Sequence, residues 1–158
     1  MALLIREYRP ADAVALRQCV VELQDFERVL DSRLRPGETM ADAYCDRLHA
    51  RCVDADGRLF VAEQDGSVVG FVAVFSREPF TELDDPPGTY ALISDLMVLS
   101  PYRGRGIGRQ LLQRAEAFAR EADARELRIG VLAENVEARR LYLASEFAPH
   151  LEILVKRW

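Results

Sequence analysis

The sequence predicts a mixed α/β domain in which helices cover a central sheet, and three observations carry that prediction. Short apolar runs rich in β-branched and aromatic residues alternate along the chain with segments whose apolar residues recur at helical spacing. Proline, glycine and aspartate clusters separate them. A length of 158 residues, 49% hydrophobic and 30% charged, suffices for one buried core and falls short of two ordinary domains, so a single domain over residues 1–158 is expected.

Leu3, Ile5 and Tyr8 around polar Arg6 and Glu7 read as a first strand, halted near Pro10. Asp12 is placed to cap a helix whose Ala13, Leu16, Val20, Leu23 and either Phe26 or Glu27 follow the 3.6-residue period. A turn over residues 31–37 leads to Glu38 and Thr39, read as the cap of a second helix through Tyr44 and Leu48, and residues 53–57 read as loop. Residues 59–63 and 68–75 form a hairpin about Asp65 and Gly66. Residues 77–88 hold Pro79, Pro86 and Pro87 with acidic Glu78, Glu82, Asp84 and Asp85, and read as a loop. Residues 90–98 resume as a strand apolar enough to be central in the sheet. From Ile107, the residues Leu111, Leu112, Ala115, Phe118, Ala119 and Ala122 make one helical face; a strand over 127–132, a helix over 136–145 and a final strand over 151–155 complete the order.

Composition narrows the function. No apolar run approaches the ~20 residues of a membrane helix, and charge at Arg6 and Glu7 interrupts any leader, so a cytoplasmic protein without a membrane partner is expected. Cys19, Cys45 and Cys52 have neither a pairing pattern nor metal-ligand spacing, and no metal is expected. Residues 1–90 hold 17 acidic and 10 basic side chains, residues 91–158 hold 9 and 11, so the halves carry -7 and +2. A positive half suits a phosphate-bearing ligand and a negative half a cationic one; solvated faces that merely differ explain the split equally well. The absence of a concentrated basic surface argues against nucleic acid.

The chemistry concentrates between the strand ending at Val98 and the helix opening at Ile107. Gly104, Gly106 and Gly108 let backbone approach a ligand, the helix N-terminus presents unpaired N–H groups, and Arg103, Arg105 and Arg109 add positive charge, which together suit an anion. A dinucleotide fingerprint would require glycine at Arg109, and a Walker loop would require Gly-Lys followed by Ser or Thr; both fail. An ordinary strand-to-helix turn remains the plain alternative. Further on, Asn135 and Tyr142 lie seven residues apart, on one face of a helix. Read alone they are a helix cap and a core aromatic; read with the loop, an amide and a phenol that reach a ligand.

The run Arg103-Gly104-Arg105-Gly106-Ile107-Gly108 resembles the pyrophosphate signature of the GNAT superfamily of acetyltransferases, and it follows Asp95-Leu96-Met97-Val98 as the family's loop follows its strand. The segment from Asn135 to Tyr142 is similar to the family's Asn-x-x-Ala-x-x-Leu-Tyr. The resemblance is close over residues 91–147. It implies a central mixed sheet flanked by helices on both faces, with acetyl-CoA in a splay between central strands and coenzyme A as product. Leu96, Met97 and Val98 would line the pantetheine, residues Arg103, Gly104, Arg105, Gly106, Ile107, Gly108 and Arg109 would hold the phosphates, and Asn135 would contact the cofactor. Tyr142 would be the general acid that protonates the departing thiolate, and the Val98 amide the oxyanion donor. Asp95 is a candidate base or substrate contact, or a carboxylate that fixes backbone. Ser94-Asp95 stands where the diamine-acetylating branch has Glu-Asp, which weakens a polyamine reading. Glu22 and Asp25 are acceptor contacts or surface charge, the acidic loop is a candidate lip of the acceptor groove, and His49 and His150 are structural or exposed. Glu146-Phe147 replaces the family's Gly-Phe, so the preceding helix is expected to end without a left-handed glycine. The function implied is N-acetyl transfer to a primary amine of a small or cationic acceptor, the alternative a non-catalytic acetyl-CoA sensor; a homodimer is compatible with either.

Overall fold

A computed structural model describes residues 2–158. Its sheet has the order β1-β2-β3-β4-β5, comprising β1 (Leu3–Glu7), β2 (Gly57–Gln64), β3 (Ser67–Pro79), β4 (Thr89–Val98) and β5 (Leu127–Ile129). The first four pair antiparallel and β5 joins β4 in parallel. The β2–β3 turn falls at Asp65 and Gly66, with φ of 51° and 79°, the doubly left-handed conformation that matches strand twist in a two-residue hairpin. Helices α1 (Ala13–Leu30) and α2 (Ala41–Asp54) cover one face, and α3 (Ile107–Glu121) and α4 (Val136–Ala144) the other. Strand alternation sorts the two cores: Phe71, Ala73 and Phe75 of β3 face α1 and α2, while Val72 and Val74 pack with Leu111, Leu112 and Ala115 of α3. No helix among the described residues is long and apolar enough to cross a membrane.

Several boundaries differ from the sequence reading, each for an identifiable reason. Asp12 does not cap α1. It ends a 3₁₀ turn (Pro10–Asp12), and its buried carboxylate takes both ends of the Arg6 guanidinium at 2.7 and 2.8 Å and the Arg9 amide at 2.8 Å. Those bonds hold it below the usual carboxylate range, the charge being kept by its partners against burial. Glu38 and Thr39 likewise lie in a 3₁₀ turn and give α2 no side-chain cap; Glu38 pairs with Arg17 instead. The apolar face Ala41, Tyr44, Cys45, Leu48 and Cys52 keeps α2 helical as far as Asp54, through residues read as loop. Strand β3 runs on to Pro79 because, past the bonds of the Ser76 and Arg77 amides to Asp56 and Ala55, β4 alone flanks it, and proline is tolerated where a strand has one free side. Strand β5 ends at Ile129 rather than 132, and residues 151–155 form no strand. An apolar β-pattern needs a ladder partner, and none of the described residues supplies one there; Leu151 and Leu154 remain 81% and 88% exposed.

One irregularity reorganises the sheet. Ala73 of β3 opposes Asp95, but Val74 opposes Ile93, so Ser94 is an extra residue in β4. The bulge reverses the alternation: Ile93 packs on the α3 side, whereas Met97, of the same parity, packs on the α1 side. Pairing with β5 also stops here, its last register being Ile93 with Ile129. From Ser94 to Val98, β4 therefore has β3 on one edge and no strand on the other.

Helix α4 ends in a left-handed residue after all, with glutamate in place of glycine. Glu146 has φ of 67°, and the Phe147 amide reaches back to the Tyr142 carbonyl at 3.1 Å. A Cβ in this region costs roughly 1–2 kcal/mol. Glu146→Gly is expected to raise unfolding stability by about 1 kcal/mol, read as a higher urea midpoint at unchanged slope.

Candidate active site

The open edge of β4 leads directly into the glycine turn. After Val98 a 3₁₀ turn (Ser100–Tyr102) bonds the Tyr102 and Arg103 amides to Leu99 and Ser100 carbonyls, and Gln110 is the first amide of α3 to find an acceptor, at Gly106. The N–H groups from Gly104 to Arg109 have none among the described residues. Gly106, with φ of 79°, turns this run outward, and a Cβ built on it meets nothing within 4 Å, so the space before the amides is clear. Gly108 serves a different purpose. A Cβ there would stand 3.4 Å from Leu141 of α4, which fixes how closely α3 and α4 approach.

The three arginines divide in the same way. Arg105 and Arg109 are exposed and make no ion pair among the described residues, Arg105 resting over the Tyr102 ring and bonding the Pro101 carbonyl. Arg103 turns away from the loop: its Nε donates to the Val98 carbonyl at 2.9 Å, and its guanidinium lies 4.9 Å from the centre of the Phe26 ring and 3.9 Å from Glu22. It fastens α1 to the end of β4. Glu22 also accepts the Ser100 amide at 2.8 Å, and Asp25 accepts the Gly37 amide at 2.8 Å, so both carboxylates named as acceptor contacts are engaged with backbone.

Where the bulge turns Asp95 toward α1 and α2, its carboxylate is buried and accepts hydrogen bonds from the Tyr44 hydroxyl at 2.7 Å and from the Ser94 hydroxyl. Burial pushes this carboxyl up against the two bonds that favour its charge. Glu27, half-buried on α1, is raised by burial and by the charge of Asp95. Tyr142 of α4, 8% exposed, is pushed up to about 12 by burial, then by Glu27 and Asp95. Its hydroxyl has no protein partner among the described residues and is not sealed from solvent. Asn135 caps α4, its Oδ1 accepting the Ala138 amide at 3.2 Å.

Sequence reasoning passed over Glu27 and Tyr44 as functional groups. The available signal was Glu27's place in the apolar period of α1, where it stood as an alternative to Phe26. The acidic loop precedes Thr89, at the end of β4 remote from the glycine turn, where the Ala91 amide bonds the Glu126 carbonyl beyond the C-terminal end of α3. Glu78 is paired with Arg51, and Asp85 accepts the Thr81 and Glu82 amides, closing its own turn. His49 stacks on Tyr8 with ring centres 5.1 Å apart.

Because two carboxylates raise the Tyr142 phenol, Glu27→Gln is expected to bring its titration below about 12. The check is the ring-carbon NMR shift of Tyr142 against pH, in wild type and variant.

A family model described as acetyltransferase (GNAT) family matches residues 21–147. An aminoglycoside N(6')-acetyltransferase type 1 of Stenotrophomonas maltophilia is 31% identical over 90% of this chain and 84% of its own. An uncharacterized N-acetyltransferase of Archaeoglobus fulgidus is 35% identical, the match spanning 59% of this chain and 60% of the archaeal one. In architecture the chain superposes with a TM-score of 0.70 on AAC(6')-Iy in complex with the bisubstrate analog CoA-S-monomethyl-acetylneamine, at 20% identity and covering 100% and 99% of the two chains.

Proposed function

We propose, since this chain belongs to the GNAT acetyltransferase family, that it moves an acetyl group from acetyl-CoA to a primary amine of a small or cationic acceptor, releasing coenzyme A. The observation that carries the reading is the unpaired edge of β4 from Ser94 to Val98, which leads through the Ser100–Tyr102 turn to the free amides of residues 104–109. A ligand with an amide-bearing arm and a diphosphate fits that combination: the arm pairs with the strand edge, and the phosphates meet amides and the positive end of α3. Leu96, Met97 and Val98 then line the arm. Gly104, Arg105, Gly106, Ile107, Gly108 and Arg109 hold the phosphates, with Arg105 and Arg109 supplying charge. Arg103 shapes the site through Val98, and Asn135 orients α4, which carries Tyr142.

Bound acetyl-CoA supplies an activated acyl carbon. The chain's own part is to bind, orient and move protons. Tyr142 holds its proton at neutral pH, as any phenol does and more firmly here because burial and then the Glu27 and Asp95 charges push it up, and so has a hydrogen to give to a leaving thiolate. The Val98 amide is the donor to a developing oxyanion. Asp95 lies on the acceptor side, where an alkyl amine arrives mostly protonated at pH 7. The reading takes residues 1–158 as a single domain, cytoplasmic, with neither nucleic acid nor membrane as partner.

A homodimer belongs to the same reading. Leu151, Ile153, Leu154, Val155 and Trp158 are all exposed, and β5 is the last strand of the sheet, with its outer edge unpaired. Two chains that exchange these segments satisfy both the apolar residues and the edge.

Incubation with acetyl-CoA and a panel of amines is expected to give saturable thiol release that requires an acceptor; binding without release across the panel would mark a sensor. Tyr142→Phe is expected to leave coenzyme A affinity nearly unchanged and to lower kcat by roughly 10²-fold or more, read in single-turnover assays. Sedimentation velocity is expected to show a dimer for the full chain and a monomer once residues 149–158 are removed.

A further inference from the structure

We infer that Glu27 is the proton acceptor for the incoming ammonium, and that Asp95 is a positioning residue beside it. The inference rests on the transfer reading above and deepens it. Its first support is placement. Leu16, Val20, Leu23 and Glu27 succeed one another at spacings of 4, 3 and 4, the stripe of α1 that faces the sheet. The first three pack in the core, so a carboxylate at the fourth position stands where the fold calls for an apolar side chain. Helix α1 is fastened at that turn by Phe26 against Arg103, which holds the end of β4.

The second support is that Glu27 alone is free to act. Its carboxylate makes no hydrogen bond or ion pair among the described residues. Asp95 is deeper, and each of its carboxylate oxygens already accepts a hydroxyl, one from Tyr44 and one from Ser94, which holds α2 against the bulge. The groups that act on Glu27 or feel its charge come from three elements: Asp95 of β4, Tyr44 of α2, where Arg47 also acts, and Tyr142 of α4. Glu27 thus lies within electrostatic reach of both Asp95 and the Tyr142 phenol. Burial and the Asp95 charge lift its carboxyl above the ordinary range, which narrows the gap to an ammonium group.

The protons balance. The ammonium gives one proton to the Glu27 carboxylate and becomes a neutral amine. As nitrogen bonds to the acyl carbon and the carbon–sulfur bond breaks, Tyr142 gives its proton to sulfur and is restored by the second proton leaving nitrogen. The remaining products are an amide, a thiol and one proton, which Glu27 returns to solvent.

The test is kcat/KM for the acceptor against pH, for a straight-chain primary amine, in wild type, Glu27→Gln and Asp95→Asn. Wild type is expected to rise through one carboxyl titration and then level. Glu27→Gln is expected to lose about 10²-fold or more near pH 7, and to recover about tenfold per pH unit as free amine accumulates. Asp95→Asn is expected to keep the rising limb but shift it to lower pH, because a charge that raised Glu27 is gone. A loss in Glu27→Gln that is constant across pH, or an unchanged profile, overturns the assignment while leaving the transfer reading intact; absence of acceptor-dependent release from wild type overturns the transfer reading itself. Side-chain carboxyl NMR on the wild-type protein gives a readout independent of turnover and of variant folding. Glu27 titrating at or below about 4.3, the ordinary glutamate value, would also sink it.

Discussion

The extra residue at Ser94 is the constraint on which the rest of this structure depends. A strand with an uninterrupted register would carry Asp95 on the same face as Ile93, among Val72, Val74 and the apolar side of α3. One inserted residue turns it to the other face, where Tyr44 and Ser94 hydrogen-bond to it. The same insertion marks where β4 and β5 part. Parallel pairing needs two strands to keep a common direction, and a bulge bends the strand that contains it. A single local event therefore marks the start of the open edge and turns the Asp95 carboxylate toward Tyr44 of α2.

Around that event the charges are arranged to different ends. Arg6 with Asp12, and Arg103 with the Val98 carbonyl, tie elements together, and each is matched by a partner within hydrogen-bond distance. Arg105 and Arg109 near the glycine turn, and the Glu27 carboxylate on α1, make no ion pair among the described residues, Arg105 bonding only the Pro101 carbonyl. Unpaired charge near a cleft contributes little to folding and remains available to a ligand. The opposite signs sit at opposite ends of the open edge, cations beside the amides of the glycine turn and carboxylates beside the bulge.

How much was legible beforehand depended on whether the information was local. The hairpin about Asp65 and Gly66, the apolar faces of α1 and α3, and the glycine turn before Ile107 are written in neighbouring residues, and they appear where the sequence places them. The cap attributed to Asp12 failed on a pairing only six residues long: its carboxylate is drawn off by Arg6 once the chain turns between β1 and α1. Glu22 and Asp25 are polar in sequence whether they face a ligand or a backbone amide, and only the fold distinguishes these. Glu27 was visible as an interruption of a helical period, yet its significance rests on Asp95 and Tyr142, 68 and 115 positions further on.

The sequence by itself determined the fold class, the order of elements as far as α4 and the glycine turn with its free helix-terminal amides, because hydrophobic period, turn residues and helix ends act over a few residues. Tertiary structure alone decided the length of β5, the fate of residues 151–155 and the direction of Asp95. Each of these depends on register between strands far apart in the chain. A shift of one residue reverses every side chain that follows, and no local preference records it.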